Sequence, residues 1–212
     1  MLGIRGKCVY LQCTFNSLKI MKRILLGIFF TFCVLSTFGQ TASEHLKFKG
    51  IPIDGTLESF VGKLKKKGYK EYYRKENFVV LEGEFAGYKG CLIAIGNSKD
   101  LDLVHKVIVN FPSCDNWNTC YDMYVKIKNM LTEKHGSPAV EEENFKGMDP
   151  SDDFLKYTYT KQGYCNYYAE FYLGNGGKKI SIDSWDNGIK VCLAYFDFAN
   201  EDIYDKKMMD DL

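Results

Sequence analysis

Cysteine and histidine are the residues of this chain best suited to nucleophilic or metal chemistry. Beyond position 40 they are Cys91, Cys114, Cys120, Cys165, Cys192, His45, His105 and His135. A thiol activated by His105 or His135 would make the chain a cysteine-dependent hydrolase. No Cys-x-x-Cys pair occurs and the histidines lie far apart in the sequence, so the spacing predicts no metal site.

Two of these cysteines, Cys114 and Cys120, are only six positions apart. An exported protein meets an oxidising compartment, where such a pair can form a disulfide. The bridge would fasten the start of the long helix that is predicted below. Because the cysteines beyond position 40 number five, at least one of these thiols stays free.

Two glycine-containing segments are similar to ligand-binding loops but lack the required residues. The segment 174–179 (GNGGKK) lacks the spacing of a phosphate-binding loop and the Ser or Thr directly after its lysine, and it connects two predicted strands. In the segment 183–188, Trp185 stands where a calcium loop needs its third ligand. The sequence therefore predicts no cofactor and no catalytic residue.

Aromatic residues are the remaining candidates for a functional surface, since the chain holds 15 tyrosines and 15 phenylalanines. Many occupy adjacent positions, so a strand must present some of them on each face. An aromatic sheet face that no helix covers is suited to contact with protein or glycan. The candidate binding residues are Tyr157, Tyr159, Tyr167, Tyr172 and Tyr195.

Two helical patterns must position these residues. The longer runs over 117–138, with apolar side chains three and four positions apart, Asn116 or Asn118 as its cap, and Gly136 and Pro138 as stop signals. The shorter runs over 56–67, with Thr56 as its cap and Gly68 at its end.

Strand-like segments separated by turn residues surround both helices. They are 71–73, 78–85, 91–95, 104–111, 139–145, 154–160, 164–173, 178–185 and 189–198. An acidic, polar tail follows over 199–212, for which a turn of helix and a frayed end are the two alternatives. Hairpin turns and only two helices favour an antiparallel arrangement. The predicted fold is α+β, with one antiparallel sheet and two helices packed on one face.

The chain also shows a weak internal repeat, predicted over residues 50–112 and 113–198. Each half contains a helix followed by strands. The segments 87–97 and 162–175 share a Gly-Tyr turn, a cysteine, an apolar strand and a Gly-Asn turn. Cys91 and Cys165 would then be equivalent.

The N-terminal segment has the organisation of an export signal. Met21-Lys22-Arg23 precedes an apolar run over 24–35, which is shorter than the roughly 20 residues of a spanning helix. We predict translation from Met21, with 1–20 outside the protein, a signal peptide over 21–39, and a single domain over 40–212. That domain would be periplasmic or extracellular, without a stable membrane span. An uncleaved leader that anchors the protein in the membrane is the alternative.

The charge balance argues against a nucleic-acid partner. Five of the 28 basic residues and none of the 27 acidic residues lie before position 40. The rest of the chain carries 23 basic and 27 acidic residues, so it is mildly acidic and offers no general attraction to phosphates.

Several segments together carry a resemblance: the leader end Phe38-Gly39-Gln40, the segment 48–69, the helix stop 134–138 and the closing residues 210–212. In these the chain resembles small secreted proteins of Bacteroides-type bacteria, and that resemblance implies no activity. The layout of helix and strands is similar to the β-lactamase-inhibitor-protein and BamE-like folds. Those are envelope binding modules, so this likeness implies a binding role.

The sequence thus predicts an exported, non-catalytic binding protein of the bacterial envelope. The sheet face opposite the helices would contact a protein or glycan partner. The alternatives are a small cysteine-dependent hydrolase, which needs a pocket where cysteine, histidine and an acid converge, and a structural envelope subunit.

Overall fold

A computed structural model describes three stretches of the chain, residues 45–97, 101–185 and 188–210. The expected start at Met21, the signal peptide 21–39 and its cleavage site lie outside these stretches. Within the described residues, no helix combines the length and the apolar character needed to cross a membrane.

A small ribbon and a capped helix come first. β1 (Lys47–Phe48) and β2 (Ile51–Pro52) pair as an antiparallel ribbon, and α1 (Leu57–Lys65) follows. Thr56 caps α1 as its pattern predicts, because Oγ1 of Thr56 accepts a 3.2 Å hydrogen bond from the Ser59 N–H. The apolar stripe of α1 is buried and consists of Leu57, Phe60, Val61 and Leu64.

Eight further strands form one antiparallel sheet. In chain order they are β3 (Lys70–Lys75), β4 (Phe78–Phe85), β5 (Tyr88–Asn97), β6 (Val104–Asn110), β7 (Val140–Phe145), β8 (Cys165–Leu173), β9 (Gly176–Trp185) and β10 (Gly188–Asp197). Their order in the sheet is β3-β4-β5-β6-β10-β9-β8-β7. Two four-strand meanders therefore meet where β6 pairs with β10, and the predicted α+β class with an antiparallel sheet is confirmed.

The long helix α2 (Trp117–His135) connects the two meanders. Asn116 caps it by accepting a 2.9 Å hydrogen bond from the Thr119 N–H, and Gly136 ends it with a φ of 87°, a conformation that favours glycine. Its buried side chains are Trp117, Cys120, Tyr124, Ile127 and Leu131.

Strand register divides the sheet into two faces. We call one the helix-covered face, because its side chains share a core with the buried residues of α1 and α2; examples are Val79, Leu81, Ile93, Ile95, Val107, Val109, Ile180 and Leu193. The alternate residues form the open face, with Leu92, Ala94, Ile108, Cys192 and Ala194 near its centre. Both predicted helices thus pack on one face.

The predicted strand over 154–160 is wrong, because these residues belong to the helix α3 (Asp153–Lys161). Asp152 caps it through a 2.9 Å hydrogen bond from the Leu155 N–H. The hydroxyls of Thr158 and Thr160 donate to backbone carbonyls four residues earlier, at 2.8 and 2.7 Å. Alternating Thr and Tyr resemble a strand, but the cap and the packing of α3 on α2 and β8–β10 outweigh that preference.

The polar tail expected over 199–212 is also largely helical, since α4 spans Phe198–Asp210. Its first turn is anchored by Asn200, which is 1% exposed. The Asn200 Nδ2 donates to the carbonyls of Ile53 and Val104 at 2.9 and 3.0 Å. The backbone N–H of Asn200 donates to Asp197 Oδ1 at 3.1 Å, so Asp197 ends β10 and caps α4.

A helix followed by four strands occurs twice along the chain, with α3 inserted in the second occurrence. The two segments with matching sequence patterns do not hold corresponding places, however. Residues 87–97 form the third strand of the first meander, whereas 162–175 hold the second strand of the other meander. The internal repeat stays a prediction.

Candidate functional site

The open face contains a groove of about 610 Å³ over β6, β10, β9 and β8. We call it the open-face groove. Its lining includes Lys106, Ile108, Asn110, Tyr168, Lys179, Ser181, Asp183, Trp185, Cys192, Ala194 and Phe196, with Lys146, Thr160 and Gly163 at one end.

Side-chain size along the register accounts for the groove. Across the sheet, Cys192 stands between Asn110 and Ser181, and Ala194 of the same strand lies between Ile108 and a lysine. The middle of β10 and β9 thus presents the small side chains of Cys192, Ala194 and Ser181 on this face. Larger side chains, among them Phe196 and Lys179 of the same strands, stand around them and form the sides of the groove.

Lysine ammonium groups stand against aromatic rings at three places around the groove. Lys106 Nζ is 4.6 Å from the centre of the Phe196 ring, Lys179 Nζ is 3.9 Å from that of Tyr168, and Lys190 Nζ is 4.3 Å from that of Trp185. A cation over an aromatic face is attracted by the ring electrons. The rim therefore combines positive charge with apolar surface.

Two further contacts hold polar groups of the groove in place. Lys146 Nζ donates to the Gly163 carbonyl at 3.3 Å, which places an ammonium group at the α3 end. Ser181 Oγ donates to Asp183 Oδ2 at 2.5 Å. The charged residues of the lining are three lysines and one aspartate, so the groove carries an excess of positive charge.

Cys192 lies on the groove floor, but its thiol is not activated. Its Sγ donates to Asn110 Oδ1 at 3.3 Å. Burial, and next the charge of Asp183, raises the pKa of the Cys192 thiol. The protonated thiol is a poor nucleophile, which argues against the hydrolase alternative at this position.

The predicted Cys114–Cys120 disulfide is not present, since all five described cysteines are free thiols. The thiols of Cys114 and Cys120 nevertheless lie within hydrogen-bond distance of each other. A hydrogen bond from Cys120 lowers the pKa of Cys114, and the same contact raises that of Cys120. Both thiols are buried beneath α2, so they act as packed core side chains.

The three histidines make contacts of other kinds. His45 Nδ1 lies 3.0 Å from Asp197 Oδ1, the His105 ring stacks on Tyr204, and His135 Nε2 lies 2.8 Å from Lys178 Nζ. Within 45–97, 101–185 and 188–210, no three His, Cys, Asp or Glu side chains converge as a metal site would require.

The five candidate tyrosines do not form one surface. Tyr172 lies on the open face and is 60% exposed. Tyr167 lies under α2 with its ring centre 5.0 Å from that of Trp117. Tyr195 is 7% exposed on the helix-covered face. Tyr157 and Tyr159 belong to α3 and are half-buried.

Of the five candidate tyrosines only Tyr167 belongs to the lining of the open-face groove, with its ring packed under α2, and sequence reasoning missed most of the other lining residues. A signal for them exists in β9, where Lys179, Ser181 and Asp183 alternate with the buried Ile180 and Ile182. This pattern marks one polar face on an otherwise apolar strand. The partners that complete the groove come from β6 and β8, and no local pattern identifies them.

Comparison of the chain with protein-family models, with curated proteins and with solved structures found no match. The geometry of the open-face groove is therefore the basis for a functional assignment.

Proposed function

We propose that this chain is an exported, non-catalytic binding protein of the envelope whose ligand lies in the open-face groove. The observation that carries the proposal is the groove of about 610 Å³ on the sheet face opposite α1 and α2. Small-molecule sites commonly have about 300–1,000 Å³ and an apolar lining with a few converging polar groups.

The contents of the groove favour binding over catalysis. Its two cysteines, Cys165 and Cys192, are held protonated by burial, and its aspartate accepts a hydrogen bond from Ser181. The nearby lysine–aromatic pairs offer charged and apolar surface that a ligand can contact. These pairs do not place a nucleophile beside a base, as covalent catalysis would need. The opposite face is filled by the core that it shares with α1 and α2.

A matched pair of substitutions tests the site. Ala194→Phe places a ring on the groove floor, whereas Ala94→Phe places the same ring on the open face outside the groove lining. Both alanines are less than 10% exposed and lie on interior strands. Each purified protein is incubated with envelope extract, and the retained small molecules are identified by mass spectrometry.

We expect wild type and Ala94→Phe to retain a component that Ala194→Phe loses, with all three proteins showing the same circular dichroism. Equal retention by the two variants, or no retained component in any of them, would refute the groove as the binding site.

The export part of the proposal rests on the leader and has its own test. Fractionation followed by N-terminal sequencing should find the protein in the periplasm or medium, beginning at Gln40. A cytoplasmic protein that keeps residues 21–39 would contradict export.

A further inference from the structure

We propose that the ligand of the open-face groove is a small organic anion, with one or more acidic groups attached to an apolar or aromatic body. This inference rests on the proposed function, because it concerns the same groove. Charge, apolar surface and size each contribute to it.

The charge of the groove differs from that of the chain. From residue 40 onward the chain carries 23 basic and 27 acidic residues, five basic residues having preceded that position. Among the residues that the structure describes, the groove lining carries Lys106, Lys146 and Lys179 against Asp183. A local excess of positive charge in a mildly acidic protein attracts anions to this place on its surface.

Two of these lysines are available to an incoming anion. Among the described residues, neither Lys106 nor Lys146 forms an ion pair. Lys106 is held over the Phe196 ring and Lys146 donates to the Gly163 carbonyl, so both ammonium groups keep donors to spare. Lys179, in contrast, is paired with Glu170 at 2.8 Å. Hydrogen bonds from an ammonium group to an anion are among the stronger ones in proteins.

The apolar side chains on the floor and one side of the groove favour a ligand with an apolar body. Ile108 and Ala194 present hydrocarbon there, and the thiol of Cys192 is already bonded to Asn110. The rings of Tyr168 and Phe196 stand beside these side chains. An inorganic anion would leave this surface wet, whereas an apolar body removes it from water.

The volume of the groove favours a small molecule over an acidic macromolecule as the ligand. The groove of about 610 Å³ lies over the four strands beside the end of α3, and sites for drug-sized ligands fall in this range. A folded acidic partner would contact a broader and flatter surface.

A pair of fluorescent dyes with and without an acidic group provides the test. Anilinonaphthalene sulfonate carries a sulfonate, and phenylnaphthylamine is its neutral counterpart. Trp185, 45% exposed, lies in the groove, whereas the other tryptophan of the chain, Trp117, is 3% exposed beneath α2. Energy transfer from tryptophan to a bound dye measures binding, and loss of the signal in Ala194→Phe assigns it to the groove.

We expect the sulfonate to bind saturably and at least about fivefold more tightly than the neutral dye. The double variant Lys106→Gln/Lys146→Gln should weaken sulfonate binding about tenfold while changing that of the neutral dye less than about twofold. The exposed Lys63 of α1 supplies the control variant Lys63→Gln, which should change neither. Ala194→Phe should abolish binding of both dyes.

The outcomes separate this inference from the proposed function. Equal affinity for both dyes with unchanged lysine variants would overturn the anion proposal, while loss of both dyes in Ala194→Phe would leave the groove as the binding site. Dye binding that persists in Ala194→Phe would contradict the groove itself, and so would overturn both. Displacement of the sulfonate by tetraglutamate peptide, and not by decanoate, would indicate an acidic chain as ligand and overturn the small-anion proposal.

Discussion

Lys178 is a buried lysine whose charge lowers the stability of the folded protein. It points from β9 into the helix-covered face, is 8% exposed, and has its Nζ 2.8 Å from His135 Nε2 and 5.1 Å from the centre of the Tyr195 ring. Burial, and next the charge of Lys134, lowers the pKa of Lys178 to about 8. Burial and Lys178 in turn lower the pKa of His135. Near neutral pH the folded protein therefore carries a poorly solvated ammonium group.

Lys178→Met should raise the free energy of unfolding at pH 7 by about 1–2 kcal/mol, because the chain then no longer buries a charge. The pKa of Lys178 is lower in the folded than in the unfolded protein, so the wild type loses stability as the pH falls from about 10.5 to about 8 and no further below that. The advantage of the variant should be constant between about pH 7 and pH 8 and shrink above pH 8. Urea unfolding from pH 7 to pH 10, above the titration of His135, measures this.

Lys63→Met on the exposed face of α1 is the control and should show no such pH dependence. A Lys178→Met protein that is less stable than wild type throughout the range would show that the contacts with His135 and Tyr195 outweigh the burial of charge.

Gly83 is a second residue whose role is steric. A Cβ built on Gly83 would lie 2.3 Å from Cδ1 of Tyr69, and Tyr69 is held there by burial and by a 3.0 Å hydrogen bond to the Glu84 carbonyl. Gly83→Ala should lower the free energy of unfolding by about 1–3 kcal/mol through overpacking. Thermal or urea unfolding measures the change.

Gly62 of α1 is the matched control, since nothing lies within 4 Å of its would-be Cβ. Gly62→Ala should stabilise the protein by up to about 1 kcal/mol, because alanine is the better helix former. Equal effects of the two substitutions would contradict the steric role of Gly83.

At the scale of elements, the sequence predicts best where a capping residue and a regular period agree. α1 and α2 begin beside Thr56 and Asn116 as their patterns indicate. α3 was missed because its cap, Asp152, lies in a loop rich in acidic residues and because its tyrosines and threonines alternate as in a strand. Contacts with α2 and the sheet favour the helix over the strand at 153–161. Because these contacts join residues far apart in the sequence, no local pattern reveals them.

The cap of α3 can be tested directly. Asp152→Ala removes the acceptor for the Leu155 N–H and should lower stability by about 1 kcal/mol. Amide hydrogen exchange should increase across α3 before it increases in β8. Asp149→Ala, an exposed carboxylate of the same loop, should leave both quantities unchanged. Unaltered exchange in α3 after Asp152→Ala would show that packing alone holds this helix.

At the scale of the whole molecule, the class was predictable from the number of hairpins and helices, and the sheet order was not. The pairing of β6 with β10 joins residues more than 80 positions apart, as Asn110 and Cys192 show. The open-face groove depends on this pairing, because Ile108 and Asn110 supply one side and Ala194 and Cys192 the floor. Its residues could therefore be recognised only in part, from the polar face of β9.

Continuity of the core across both meanders implies that they unfold together. Ile93 on β5 is fully buried, so Ile93→Ala should cost about 2–5 kcal/mol. In a Trp185→Phe background, fluorescence of Trp117, which belongs to α2, should report the same shifted midpoint as circular dichroism. Two separate transitions, or a Trp117 signal that does not respond to Ile93→Ala, would show that the meanders are independent.

The junction of β6 with β10 also sets an order for folding during synthesis. A ribosome delivers β3 to β6 first, and the neighbour of β6 is the last strand of the sheet to emerge. Until then β6, which carries the apolar side chains of Val107 and Val109, is an edge strand with unpaired backbone N–H and C=O groups. A strand of another chain can pair with it and start aggregation. The nascent chain is thus prone to aggregation until residue 197 has emerged and β10 can pair with β6.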